Sequence, residues 1–196
     1  VYWDGEASDI SWPEPCIVEY VTNGQGGINS LSKGTIDAMM ADKNTSIYDL
    51  IGIGNIRKKY PPQTSTEKTV MQTVIGDMMS AYPSESYGII FGSHGPGWLP
   101  TITGTRSIGQ DGGRYSSDTA LIPELAEVLR TVNPQKFDFV LFDACMMGCA
   151  EVYYELKDAA RYCIASVLDI PAAGFPYASV MPYFCLLYTS PSPRDG

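Results

Sequence analysis

Residues 137–154 read FDFVLFDACMMGCAEVYY, and the reading of this stretch decides the fold. Phe139-Val140-Leu141-Phe142 is an apolar run with the length and composition of a strand buried in a parallel sheet. It stops abruptly at Asp143-Ala144-Cys145. Val152, Leu156, Ala159 and Ala160 then recur near the 3.6-residue period, which predicts a helix with Asp143 as its N-cap. On this reading Cys145 stands where a strand ends and a helix begins, the end of a parallel sheet at which ligands bind. A helix starting there would favour a thiolate through its dipole and its free N–H groups.

Residues 87–99, YGIIFGSHGPGWL, repeat this grammar: an apolar run, Ile89-Ile90-Phe91, then Ser93-His94-Gly95. His94 is the sole histidine of the chain, 51 residues before Cys145. If the two strands are neighbours, a thiol and an imidazole meet at their ends, as nucleophilic catalysis requires.

Outward from these two stretches the chain alternates strand and helix. Val1–Asp4, Cys16–Val21 and Ile56–Tyr60 read as strands, and Thr35–Ala41 as a short helix. Residues 64–82 form the clearest helix before the centre, capped by Ser65 or Thr66, with Val70, Val74, Ile75, Met78 and Met79 on one face. Residues 95–119 are polar and glycine-rich, the signature of a functional loop or a small hairpin of its own. A helix over Ala120–Thr131 and a strand over Tyr162–Val167 complete the pattern. The class is α/β with a mostly parallel sheet flanked by helices on both faces.

The 196 residues and 44% hydrophobic content suffice for one good core. No apolar run reaches the length of a membrane span. The net charge of −9 argues against a nucleic-acid partner and is compatible with basic peptides. Five cysteines, odd in number and widely spread, do not describe a small disulfide scaffold. The chain opens at Val1 partway along a strand, and LLYTSPSPRDG at its end has no pattern linking it to what precedes. The expected organisation is one domain over residues 1–184, incomplete at both ends, followed by a non-native tail over 185–196.

GIIFGSHGPGWLP paired with FDFVLFDACMMGCAEVYYELKDAARYCIAS resembles the clostripain-like cysteine peptidases, whose domain is similar to that of the caspases. In caspases the histidine also lies about 50 residues before the catalytic cysteine. The resemblance runs from about Tyr60 to Tyr177 and takes in Ile108-Gly109-Gln110-Asp111 and Gly174-Phe175-Pro176-Tyr177. It implies a caspase-like fold and a bacterial endopeptidase acting outside the cell or at its envelope. Cys145 would be the nucleophile and His94 the general acid/base, with the N–H groups of Gly95 and Cys145 facing the oxyanion. Fixed donors aimed at that developing charge are worth about 3–4 kcal/mol each.

The resemblance further implies that Asp143 selects Arg or Lys before the scissile bond, a role that competes with helix capping. It implies activation by a cut between the catalytic strands, where Arg106 and Arg114 match the inferred specificity. The substrate is then a peptide or protein with a basic residue. No cofactor is identifiable from the residues, and the resemblance leaves calcium open. Cys149, four residues past Cys145 and on the same face of the expected helix, stands where the family usually has a small residue such as Ser. Asp169 stands where the family more often has Glu, and Trp98 could wall a substrate groove. Two rivals remain: a non-enzymatic thiol or metal module built on His94, Cys145 and Cys149, which lacks an evident fourth ligand, and an inactive peptidase-like binding domain.

Overall fold

The computed structural model describes residues 1–4, 14–21, 27–42, 44–95, 107–111, 118–171 and 174–177. The elements run β1 (Tyr2–Trp3), β2 (Cys16–Glu19), α1 (Lys33–Ala41), α2 (Ile47–Gly52), β3 (Asn55–Lys59), α3 (Lys68–Ala81), β4 (Gly88–Gly92), β5 (Ser107–Asp111), β6 (Asp118–Leu121), α4 (Ile122–Val132), β7 (Phe137–Asp143), α5 (Ala150–Leu156) and β8 (Ala160–Ala165). The α/β class is as expected.

A parallel sheet of order β4-β7-β8 carries the two strands read first. Its strands alternate as the period of two demands. Ile89 and Phe91, Val140 and Phe142, and Cys163 and Ala165 share one face, with Phe91 and Phe142 as register partners stacked at 5.8 Å between ring centroids. That face packs against α3, α4 and α5 through Met71, Ile75, Leu125, Leu129, Val152 and Leu156. Helix α4 is the most amphipathic of the three: Leu125, Ala126, Val128 and Leu129 are fully buried, while Glu127 and Arg130 point outward. Residues of β2 and β3 pair antiparallel with one another and β2 with β1, giving a second sheet that shares α3 with the first: Val74 packs with Ile17 and Tyr60 while Ile75 faces the main core.

Three helix starts differ from expectation. The helix expected from residue 64 begins at Lys68 with Glu67 at its N-cap, and no side chain caps it. The helix expected from Ala120 begins at Ile122, because Asp118–Leu121 pairs with Ser107–Asp111 as a hairpin. The long segment 95–119 thus carries a hairpin of its own, as one of its two readings held. The third difference concerns the central stretch. After Asp143 the chain does not enter a helix but makes a turn, with Met146 in the left-handed region at φ 56°, and α5 starts only at Ala150. Asp143 is therefore not an N-cap, Cys145 is not at a helix N-terminus, and Cys149 is the N-cap rather than a residue on the same helix face as Cys145. Helix α2 was not anticipated; it is held by a capping box between Ser46 and Asp49.

Leu129 is 0% exposed at the centre of the main core. Leu129→Ala is expected to cost about 2–5 kcal/mol, whereas Tyr162→Ala, at a side chain 72% exposed, should stay within about 0.5 kcal/mol of wild type. Chemical denaturation of both variants checks the pair.

Candidate active site

Strands β4 and β7 pair in parallel without a register shift, from Gly88 opposite Phe139 to Gly92 opposite Asp143. The offset between partners is thus the same 51 residues that separate His94 from Cys145. The ladder continues one step further, with Ser93 N–H donating to the Asp143 carbonyl at 3.2 Å. The two residues leave adjacent strands at the same level. His94 is exposed, Gly95 is buried and Cys145 is half-buried.

Gly95 is the point of closest approach between the two turns. A Cβ placed on it would lie 2.9 Å from the Cys145 carbonyl oxygen and 2.8 Å from the Met147 sulfur. No side chain fits there without moving the turns apart, so glycine is required by close approach. From the other side, Gly109 N–H donates to the His94 carbonyl at 2.9 Å, which ties the β5–β6 hairpin to the His94 turn. Ile108-Gly109-Gln110-Asp111 thus lies against the strand end that bears the histidine.

The segment after β8 closes over the Cys145 turn. Met146 N–H donates to the Leu168 carbonyl at 3.1 Å, and Gly148 N–H to the Ser166 carbonyl at 2.7 Å. Ile170 N–H donates to the Cys145 sulfur at 3.3 Å, and the thiol in turn reaches the Ile170 carbonyl at 3.8 Å. The Cys145 thiol, five residues before the start of α5, thus has its N–H partner on the segment after β8 and not on that helix.

The Asp143 side chain lies on the face of β7 opposite the helical core and is half-buried. Its Oδ1 accepts from Phe175 N–H at 3.1 Å and its Oδ2 from the Tyr177 hydroxyl at 2.8 Å. Both donors are neutral. Gly174 precedes them at φ 71°, and a Cβ on it would overlap the carboxylate. Burial raises the Tyr177 phenol well above its ordinary pKa, and the neighbouring Asp143 raises it further, so the hydroxyl stays a donor. The sequence singled out Gly174-Phe175-Pro176-Tyr177 only as part of a resemblance; its contact with Asp143, more than thirty residues away, had no local signal.

The remaining described cysteines sit elsewhere. Cys16 is buried at the start of β2 with Val18 and Ile51, and burial pushes its thiol up. Cys163 packs against the main core, where burial and then Cys149 push its thiol up to about 12. Cys149 packs against the same core. Among the described residues no three His, Cys, Asp or Glu side chains converge as a metal-ligand set, and no helix is long and apolar enough to cross a membrane. A cleft of about 370 Å³ beside the start of β8, lined by Tyr153, Lys157, Arg161 and Tyr162 among others, lies at the opposite end of the sheet from His94 and Cys145. Asp169 is exposed. Arg106, Arg114, Trp98, Cys185 and the expected tail lie outside the described residues.

Comparison with known proteins bears on this arrangement. The profile of the clostripain family matches residues 24–191. A secreted C11 cysteine protease from Bacteroides thetaiotaomicron, solved in complex with an irreversible peptide inhibitor, is 33% identical over 92% of this chain and 41% of its own, with a TM-score of 0.62. A second structure of a secreted C11 protease from that organism, iotapain, is 28% identical over 67% of this chain and 39% of its own, at a TM-score of 0.58. An inactive zymogen C11 protease from Parabacteroides distasonis is 36% identical over 65% of this chain and 34% of its own, at 0.52. The chain thus spans about two-fifths or less of the length of these relatives. No curated protein matches it.

The contact at Gly95 yields a direct expectation. Gly95→Ala should destabilise the protein by about 1–3 kcal/mol through overpacking. Gly92→Ala, two residues earlier, where a Cβ meets nothing within 4 Å, should cost less than about 1 kcal/mol. Denaturant midpoints of the two variants make the comparison.

Proposed function

The chain belongs to the clostripain family, and from that premise we propose that it is the His- and Cys-bearing part of a cysteine endopeptidase that cleaves after Arg or Lys. The observation that carries this reading is the register of β4 on β7, which brings the His94 and Cys145 turns to the same level on neighbouring strands.

In the proposed reaction His94 takes the thiol proton as the Cys145 sulfur attacks the scissile carbonyl carbon, and the C–N bond breaks as His94 passes that proton to the departing amine. The acyl group is left on Cys145 as a thioester. His94 then takes a proton from water, hydroxide adds to the thioester carbonyl, and collapse releases the acid product and the thiol. The carbonyl oxygen carries negative charge in both tetrahedral intermediates, and the N–H groups of Gly95 and Cys145 are the proposed donors to it. Gly95 suits that role because its backbone already lies against the Cys145 turn. Asp143, two residues before the nucleophile, supplies a carboxylate for the basic side chain of the substrate. A guanidinium would bind such a carboxylate through paired, charge-assisted hydrogen bonds.

The secreted relatives support action outside the cell, and the zymogen relative supports activation from an inactive precursor. We assign that activating cut to the segment between the catalytic strands, after Arg106 or Arg114, with Arg106 preferred because Thr103-Gly104-Thr105 precedes it. Calcium remains a proposal by family resemblance alone. A non-enzymatic thiol or metal module gains no support from the described residues, in which Cys149 stands at the start of α5 and packs on the core.

Two measurements on the full-length protein test this. Cleavage of a fluorogenic Arg peptide should fall by at least about a thousandfold in Cys145→Ala and by a similar order in His94→Ala, as for groups that act as a unit. Unchanged turnover in either variant would contradict the dyad. Intact-mass analysis should find two fragments parted after Arg106 or Arg114 in the wild type and one chain in Cys145→Ala; an active enzyme that remains a single chain would contradict obligatory self-processing.

A further inference from the structure

We propose that Tyr177 is a positioning residue for substrate specificity: its hydroxyl, together with Phe175 N–H, fixes the Asp143 carboxylate in the orientation that receives the basic side chain. This rests on the reading of Asp143 as the specificity carboxylate and adds a residue to it.

Asp143 is half-buried and accepts from two neutral donors, one on each oxygen. A carboxylate has roughly four acceptor positions, so the described donors leave two for a ligand. The two donors come from a single tight loop, Gly174-Phe175-Pro176-Tyr177. They hold the carboxylate from one side and supply no positive charge. The anion is thus oriented in advance but not neutralised by them, which is the condition under which an incoming cation gains most.

The loop is built for that contact. Gly174 takes φ 71° and leaves no room for a Cβ beside Asp143. Pro176 fixes the backbone between the two donors. The Tyr177 phenol, raised by burial and by Asp143, keeps its proton over the whole range in which a peptidase works. A side chain that served only to anchor the loop would also bond to Asp143, but its loss would not depend on which residue precedes the scissile bond.

The test uses the full-length, processed enzyme and peptides that differ only in Arg, Lys or Ala before the cut. In Tyr177→Phe, kcat/KM for the Arg peptide should fall about tenfold, the size expected for one hydrogen bond to a charged group. The loss should lie mainly in KM, with kcat nearly unchanged, and the Ala peptide should lose less than about twofold. Asp143→Asn should lose Arg preference more strongly, and adding Tyr177→Phe to it should change little further. Equal losses on all three peptides, or no rise in KM for Arg, would overturn the role of Tyr177. If Asp143→Asn itself loses no Arg preference, the specificity reading fails, and this inference with it; a selective effect of Asp143→Asn without one of Tyr177→Phe overturns the inference alone. A fluorinated tyrosine at position 177 keeps the shape of the side chain should Tyr177→Phe not fold. With all four ring positions fluorinated the phenol becomes acidic enough to ionise despite its burial, so KM for the Arg peptide should rise at alkaline pH while KM for the Ala peptide stays flat; parallel profiles would overturn the role.

Discussion

The in-register pairing of β4 with β7 is the constraint on which the rest depends. It is a hydrogen-bond ladder between the edge strand β4 and the more deeply buried β7, and its offset equals the distance in sequence between His94 and Cys145. A slip of one residue would move the two turns apart by about 3.3 Å and would also turn Val140 and Phe142 out of the core. The apolar face therefore guards the relative position of the two polar turns. Phe91 on Phe142 is the local expression of that guard, since the stacked pair joins the last buried rung before the site.

What the strands place, the segment after β8 holds. Backbone groups of Ser166, Leu168 and Ile170 bond to Gly148, Met146 and Cys145 in turn, and Phe175 and Tyr177 bond to Asp143. This brace takes the place of the helix N-terminus expected at Cys145. It also explains how a non-glycine residue, Met146, is kept at φ 56°: strain of that kind persists only where the surroundings over-determine it. The Cys145 turn is thus fixed by a neighbouring strand on one side and by a returning segment on the other.

The sequence carried the strand ends well because each is an apolar run of strand length cut off by a short polar motif, a signal that local periodicity preserves. It also carried the order of His94 and Cys145. It did not carry the start of α5. Val152 and Leu156 have helical spacing, but Gly148 between Met147 and Cys149 is a poor helix residue and marks the turn that separates them from Cys145. Similarly, Pro123 in the first turn of α4 was the better marker of that helix than Ala120, which belongs to a hairpin strand. Helix α2 had its Ser46–Asp49 capping box in plain view, but six residues are too few for a periodic pattern. The partners of Asp143 were beyond reach, because a contact across thirty-odd residues follows from topology and not from spacing.

The proposed joint action of Cys145 and His94 as one site at two neighbouring strand ends is open to direct test. The most direct measurement is a crystal structure of the full-length protein reacted with an arginyl peptide carrying an electrophilic ketone. The expected result is a single covalent bond to the Cys145 sulfur, with the inhibitor oxygen facing the Gly95 and Cys145 N–H groups and the His94 imidazole beside the adduct. A bond to another cysteine, or an adduct on Cys145 with His94 turned away and out of hydrogen-bond reach, would contradict it.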